Sequence, residues 1–126
     1  MQKIKIHTEK TGSIDAVIST EENPVTAQKI IDALPIESKA RTWGDEVYFD
    51  IPVQTGEEKA QVEVEVGTLA YWPAGSCFCI FFGRTPASRG EKPAAASAVN
   101  VFGNIEGDAA VFSKVKDGDP ITIKAA

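Results

Sequence analysis

The segment that decides the fold of this chain is Gly67-Thr-Leu-Ala-Tyr-Trp-Pro-Ala-Gly-Ser-Cys-Phe-Cys-Ile-Phe-Phe-Gly-Arg-Thr-Pro86. It holds five of the ten aromatic residues, one of the two tryptophans and both cysteines. Two apolar stretches of strand-like composition flank a Pro-Ala-Gly-Ser turn, which predicts a β-hairpin. Aromatic residues at this density either fill a core or line a pocket. The placement of these side chains is therefore the main functional question.

Length and charge limit the class of protein. With 126 residues, 43% hydrophobic and 25% charged, the chain predicts one globular domain over residues 1–126. Its net charge of −5 and the lack of a basic stripe argue against binding to nucleic acid or to a membrane surface. No window holds the roughly 18 apolar residues of a membrane span, and no signal segment is visible at the N-terminus. We therefore expect a cytoplasmic protein.

The two cysteines are expected to be reduced. Cys77 and Cys79 lie two positions apart, so on a strand they share a face and a disulfide between them would be strained. Buried small hydrophobic residues are the expected role, and a redox pair is the alternative. Two cysteines do not make a zinc site, and the only histidine, His7, has no visible catalytic partner. The sequence predicts no metal, no cofactor and no catalytic residue.

Alternation of apolar and polar residues predicts most of the strands. Besides the hairpin, it marks the segments Lys3–Ile6, Ser13–Ser19, Glu46–Val53, Gln61–Val66 and Pro120–Lys124. In Gln61–Val66 we expect the valines 62, 64 and 66 to be buried and Glu63 and Glu65 to be exposed. In Glu46–Val53 the polar face is unusual, because Tyr48 lies on it between Glu46 and Asp50.

Two short helices interrupt the strands. Asn23-Pro24 supplies a capping residue and a proline at the first helical position, which predicts a helix over Pro24–Leu34. Asp108 begins a second helix that ends near Val115. About eight strands with two capping helices predict a mainly β fold, namely a closed antiparallel barrel.

Several motifs resemble cyclophilins. The segment Val101-Phe102-Gly103-Asn104-Ile105-Glu106-Gly107 resembles their Val-Phe-Gly-x-Val-x-x-Gly stretch, and Ala74-Gly75-Ser76 followed by Phe81-Phe82 is similar to their Ala-Gly turn and Gln-Phe-Phe strand. The chain resembles more closely a short prokaryotic family of cyclophilin-like proteins. The matching blocks are Trp43-Gly44-Asp45-Glu46-Val47-Tyr48-Phe49, Gly67-x-x-Ala70-Tyr71-Trp72-Pro73-x-Gly75 and Cys79–Pro86. This resemblance covers essentially the whole chain and implies a cyclophilin-like barrel without an established reaction.

The chain departs from true cyclophilins at the catalytic residues. Those enzymes carry an Arg in a Phe-x-Arg-x-Ile strand, followed by Gln-Gly-Gly-Asp-Phe, and this Arg polarises the prolyl amide. Neither motif occurs here, and the corresponding segment Trp43–Phe49 offers Glu46 and Tyr48 instead. A carboxylate cannot donate hydrogen bonds to an amide. We therefore expect peptidyl-prolyl isomerase activity to be weak or absent.

The candidate ligand-binding residues are large amphipathic side chains and a few charged ones. Glu46 is interpreted as a pocket acceptor for an amide or amine, with a solvated strand-face carboxylate as the alternative. Arg84, or Arg41, is a candidate clamp over the pocket mouth, with a surface role as the alternative. Only one of Phe81 and Phe82 can face inward, and the resemblance implies an aromatic residue of this strand in the proline-binding pocket. The full candidate set is Trp43, Glu46, Tyr48, Tyr71, Trp72, Phe81, Phe82, Arg84 and Phe102.

Three functions remain open at this level. The first is a binding module whose aromatic groove accepts a peptide segment or a small molecule without reaction. The second is a divergent peptidyl-prolyl isomerase. The third is an interaction protein whose aromatic surface forms a homo-oligomer interface.

Overall fold

The fold is one antiparallel sheet in which nine strands follow one another in a linear hydrogen-bonded order and one further short strand pairs with one of them. The computed structural model describes all 126 residues. The strands are β1 Gln2–Thr8, β2 Gly12–Ile18, β3 Ile36–Lys39, β4 Arg41–Thr42, β5 Glu46–Asp50, β6 Gln61–Glu63, β7 Thr68–Trp72, β8 Cys77–Phe81, β9 Ala94–Ile105 and β10 Pro120–Ala125. Their order in the sheet is β3-β10-β1-β2-β9-β7-β8-β5-β4, and β6 pairs with β9. The predicted mainly β, antiparallel architecture is confirmed.

The sheet is not closed, so the prediction of a closed barrel needs correction. β3 and β4 lie at opposite ends of the hydrogen-bonded order. Only Ala40 separates these two strands in sequence, and β4 has just two residues, which is too short for a second ladder. The Ser38 hydroxyl instead donates a hydrogen bond of 2.8 Å to the carbonyl oxygen of Asp50 in β5. The covalent chain and this bond therefore connect the two ends of the sheet.

The sheet buries residues on both faces. The large core holds 23 buried residues, and its aromatic centre is Phe78, stacked on Phe49 at 5.0 Å and edge-to-face with Phe102 at 5.1 Å. The opposite face of β5, β7 and β8 carries a smaller core of Val64, Ala70, Cys77, Cys79, Phe81, Ala95 and Val99. Alternation along β8 explains this division, because Phe78 and Ile80 face one core while Cys77, Cys79 and Phe81 face the other.

Both predicted helices are present. The helix α1, Pro24–Ala33, has proline in its first turn, but the side chain of Asn23 does not cap it. The carboxylate of Glu58, from the loop before β6, accepts hydrogen bonds from the backbone N–H groups of Val25 and Thr26 instead. The second helix is a 3-10 helix over Ala109–Lys114, which Asp108 caps. No helix is long and apolar enough to cross a membrane.

The burial prediction for Gln61–Val66 is correct at one valine only. Val64 is 2% exposed, whereas Val62 is 46% and Val66 is 60% exposed. The strand β6 spans just Gln61–Glu63, and its pairing with β9 shifts register within those residues. Such an irregularity breaks the alternation of faces on which the prediction relied. The glutamates 63 and 65 are exposed, as predicted.

Candidate functional site

An open cavity of about 190 Å³ lies over the smaller core. Its lining residues are Trp43, Glu46, Tyr48, Trp72, Ala95, Ala96 and Val99. For comparison, an engineered apolar cavity of roughly 150 Å³ in another protein binds benzene. The cavity therefore has room for one group of about that size, such as the side chain of a peptide or a small molecule.

A tight hairpin places Trp43 beside Glu46. The two residues exchange backbone hydrogen bonds of 3.0 and 3.2 Å. They lie directly beyond the pair of Thr42 and Val47, with which the β4–β5 ladder ends. Residues opposite each other in an antiparallel pair project to the same face. The turn needs Gly44, because its φ is +58° and a Cβ there would lie 2.8 Å from the Pro86 side chain.

Glu46 is a buried carboxylate without a cationic partner. The residue is 6% exposed, and it pairs across the strands with Phe81. Burial raises the pKa of Glu46 to about 7, and a hydrogen bond from the Cys79 thiol only partly opposes this effect. None of the ion pairs of the protein includes Glu46. Near neutral pH the cavity therefore contains both the protonated and the ionised form of this group.

Trp72 and Tyr48 form the aromatic wall. Their rings meet edge-to-face with centroids 6.4 Å apart and an interplanar angle of 87°. The indole Nε1–H of Trp72 donates a hydrogen bond of 2.6 Å to the Ser97 hydroxyl, which holds the ring in place. Gly75 allows this packing, because a Cβ at that position would lie 2.5 Å from the Trp72 ring. The glycine in the turn between β7 and β8 therefore allows the Trp72 ring to take the position in which it lines the cavity.

Arg41 lies next to the cavity but does not line it. Its guanidinium is 4.7 Å from the centroid of the Tyr48 ring and forms an ion pair with Asp50. These contacts follow from the strand pairing, because Arg41 and Tyr48 are opposite each other in β4 and β5. The guanidinium is therefore held by two protein groups at the cavity rim.

The first residues of β9 supply the remaining wall. Ala95, Ala96 and Val99 line the cavity, and all three belong to β9, which begins at Ala94. Their small side chains leave the space that the aromatic residues enclose. Alanines carry no periodic pattern, so the sequence signal for the first half of this strand is the apolar run that begins after Pro93.

Five predicted site residues lie elsewhere. Tyr71 and Phe102 belong to the large core, and the Tyr71 hydroxyl donates a hydrogen bond of 2.7 Å to the Val53 carbonyl oxygen. Phe82 packs against the same core. Phe81 is fully buried in the smaller core and does not line the cavity. Arg84 is exposed and does not line it either. Alternation along β7 explains why Tyr71 points into the large core, because its neighbour Trp72 faces the cavity on the other side of the strand.

The thiols beneath the cavity are buried, and burial favours their protonated form. Cys77 and Cys79 are free and buried. Burial raises the pKa of the Cys77 thiol to about 12, and the Asp50 carboxylate adds to this effect. Burial also raises the pKa of Cys79 well above its ordinary value. No three histidine, cysteine, aspartate or glutamate side chains are grouped so that they could hold a metal ion.

The antiparallel sheet, its two short helices and the aromatic cavity beside its smaller core define a small β domain. Over residues 2–124 the sequence matches the cyclophilin-like family, and the chain belongs to that family. It is similar to a hypothetical protein from Archaeoglobus fulgidus whose solution structure is known. The two are 38% identical with a TM-score of 0.81, over 99% of this chain and 95% of that one. No curated protein matches the chain.

Proposed function

We propose that the protein is a binding module that holds a small molecule, or one side chain of a peptide segment, in the aromatic cavity without transforming it. The observation that carries this proposal is Glu46, a buried carboxylate that faces apolar walls and has no cationic partner. Trp43, Tyr48 and Trp72 provide the apolar contact area around it. A mostly apolar cavity with one placed polar group is the usual form of a small-molecule site.

A purely structural role does not explain the buried carboxylate of Glu46, because its ionised form destabilises the folded protein. An ionised group that loses water without gaining a partner destabilises the folded state, so such groups are rare in cores. The other buried polar side chains are neutral, and Asn100, for example, donates a hydrogen bond of 2.9 Å to Thr26, so Glu46 is the one acidic residue among them. A strongly shifted carboxyl group inside a cleft is a recognised signature of a functional site. Ligand recognition provides a reason for a group that packing does not require.

Binding without catalysis fits the lining residues better than prolyl isomerisation does. None of them is Arg or Lys, so the cavity lacks a cation to polarise a prolyl amide. The nearby Arg41 is already engaged by Asp50 and Tyr48. Removal of one such electrostatic donor typically costs about 100- to 1,000-fold in rate. We therefore propose that any isomerase turnover is far below that of true cyclophilins.

The two tryptophans make the proposal simple to test. The chain has only two, Trp43 and Trp72, and both line the cavity. A fragment library screened by NMR should contain compounds that shift both indole N–H signals in a saturable way. Ala96→Leu, at an exposed lining position, should abolish these shifts by filling the cavity. The matched control Ala110→Leu, exposed in the 3-10 helix, should leave them unchanged.

Two results would contradict the proposal. One is a screen in which no compound shifts both indole signals. The other is equal binding by the Ala96→Leu variant and the wild type. A molecular size that increases with concentration, together with indole signals that change with it, would favour the homo-oligomer interface instead.

A further inference from the structure

We infer that the group held in this cavity is a small organic ammonium ion, with the carboxylate of Glu46 as its counter-ion. This inference rests on the proposed function and specifies the chemical class of the ligand. It follows from three features of the site: its aromatic rings, its single carboxylate, which has no cationic partner, and its volume.

The rings favour a cation. Trp43, Tyr48 and Trp72 line the same cavity, and the faces of aromatic rings attract ammonium groups, tryptophan most strongly. Aromatic cages of this composition are a general means of binding quaternary and alkylated ammonium groups. Tyr48 already attracts a cation within the protein, because the Arg41 guanidinium lies 4.7 Å from its ring centroid.

The acid requires a cation. The exposed carboxylates of Asp15, Asp50 and Glu65 have lysine or arginine partners, whereas the buried one of Glu46 has none. A neutral apolar ligand would remove water from this carboxylate and offer nothing in return. An anionic ligand would be repelled. A neutral hydrogen-bond donor such as an amide would leave the charge buried, so a cation compensates the ionised form of Glu46 best in a site of low polarity.

The volume selects a small head group. A cavity of about 190 Å³ accommodates a group of about the size of benzene, and a trimethylammonium head is of this size. Its methyl groups would contact the rings and its charge would face Glu46. A quaternary ion also needs no hydrogen-bond acceptor, and the lining residues other than Glu46 offer almost none.

Glu46 is the group whose titration should control binding. The titratable or charged groups on the elements packed around it are Arg41 on β4, Asp45 in the hairpin, Tyr48 and Asp50 on β5, and Cys77 and Cys79 on β8. Arg41 and Asp50 neutralise each other, and both thiols stay protonated. Asp45 packs against Gly83. The lining residues of β7 and β9 are Trp72, Ala95, Ala96 and Val99, which do not titrate.

The test compares choline with 3,3-dimethylbutan-1-ol, which has the same shape and no charge. At about pH 8 we expect choline to bind at least tenfold more tightly, measured by the shifts of the two indole N–H signals. Because the pKa of Glu46 is about 7, lowering the pH from about 8 to about 6 reduces the ionised fraction roughly tenfold. Choline affinity should fall by the same factor, while the affinity of the neutral alcohol should not fall.

Variants identify the counter-ion. Glu46→Gln keeps the shape of the side chain and should remove both the preference for choline and its pH dependence. The control Glu63→Gln removes an exposed carboxylate on β6 and should change neither. Equal binding of the two probes at about pH 8, or undiminished choline binding by Glu46→Gln, would overturn the inference and leave the proposed function intact. Failure of both probes to bind would also overturn it. The proposed function is tested separately, by the fragment screen and the Ala96→Leu variant.

Discussion

Replacement of Glu46 by glutamine should stabilise the protein near neutral and alkaline pH and have little effect in acid. The cause is the buried carboxyl group, whose pKa is about 7 in the folded protein against an ordinary value of 4.5. The residue is 6% exposed, so solvent screens this effect little. One pKa unit corresponds to about 1.4 kcal/mol, so the ionised carboxylate destabilises the folded state by about 3 kcal/mol.

The direction of the pH dependence follows from proton linkage. Below pH 4.5 the folded and unfolded chains both hold the proton, and the group costs nothing. Between pH 4.5 and about 7 the unfolded chain loses its proton while the folded chain retains it, so the wild type becomes progressively less stable. Above about pH 7 the penalty is constant. Glutamine does not ionise and avoids this loss, although its buried amide N–H groups offset part of the gain.

Urea denaturation of both proteins across this pH range measures the effect. The free energy of unfolding of Glu46→Gln minus that of the wild type should rise by about 3 kcal/mol between about pH 4.5 and about pH 8, and the pH-independent cost of the buried amide lowers the whole curve equally. Glu63→Gln controls for the loss of one acidic charge from an exposed site. A difference that stays flat with pH, or a wild type that gains stability over the variant as the pH rises, would refute the reasoning.

Three further predictions concern the surroundings of the cavity. Gly75→Ala should displace the Trp72 ring, because the new Cβ would lie 2.5 Å from it; we expect a loss of about 1–3 kcal/mol in urea denaturation and weaker ligand binding. Tyr71→Phe removes a buried hydrogen bond to the Val53 carbonyl and should cost about 1 kcal/mol, with ligand binding unchanged. Both free cysteines should react with a thiol reagent only after denaturation, because burial keeps the thiols protonated.

Each of these predictions has a clear contrary outcome. Gly56→Ala is the control for Gly75→Ala, because no atom lies within 4 Å of its added Cβ; equal stability of the two variants would contradict the packing argument. Altered ligand affinity in Tyr71→Phe would mean that this residue belongs to the site after all. Rapid labelling of the native protein would show that the thiols are accessible, and a count of zero thiols after denaturation would indicate a disulfide.

Local sequence patterns predicted much of the fold. Alternation identified the strands around Lys3–Ile6, Ser13–Ser19 and Pro120–Lys124, and the Pro-Ala-Gly-Ser turn identified the β7–β8 hairpin. Asn23-Pro24 marked the start of α1, although Glu58, distant in sequence, provides the cap. The alternation in Gln61–Val66 was misleading because the partner strand imposes a register shift there. A strand pattern assumes regular pairing, and the sequence alone does not show the pairing.

The sequence by itself determined which residues share a face. A period of two places Glu46 and Tyr48 on one side of β5. The tight turn that brings Trp43 beside Glu46 is visible only in the structure. Only the tertiary structure decided what covers that face. β7 and β8 are buried on both sides, so their composition cannot distinguish Tyr71, in the large core, from Trp72, at the cavity. The long-range pairings of β9 with β7 and with β6 place Ala95 and Ala96 at the cavity beside Glu46. Contacts between residues distant in the chain have no local signature in the sequence.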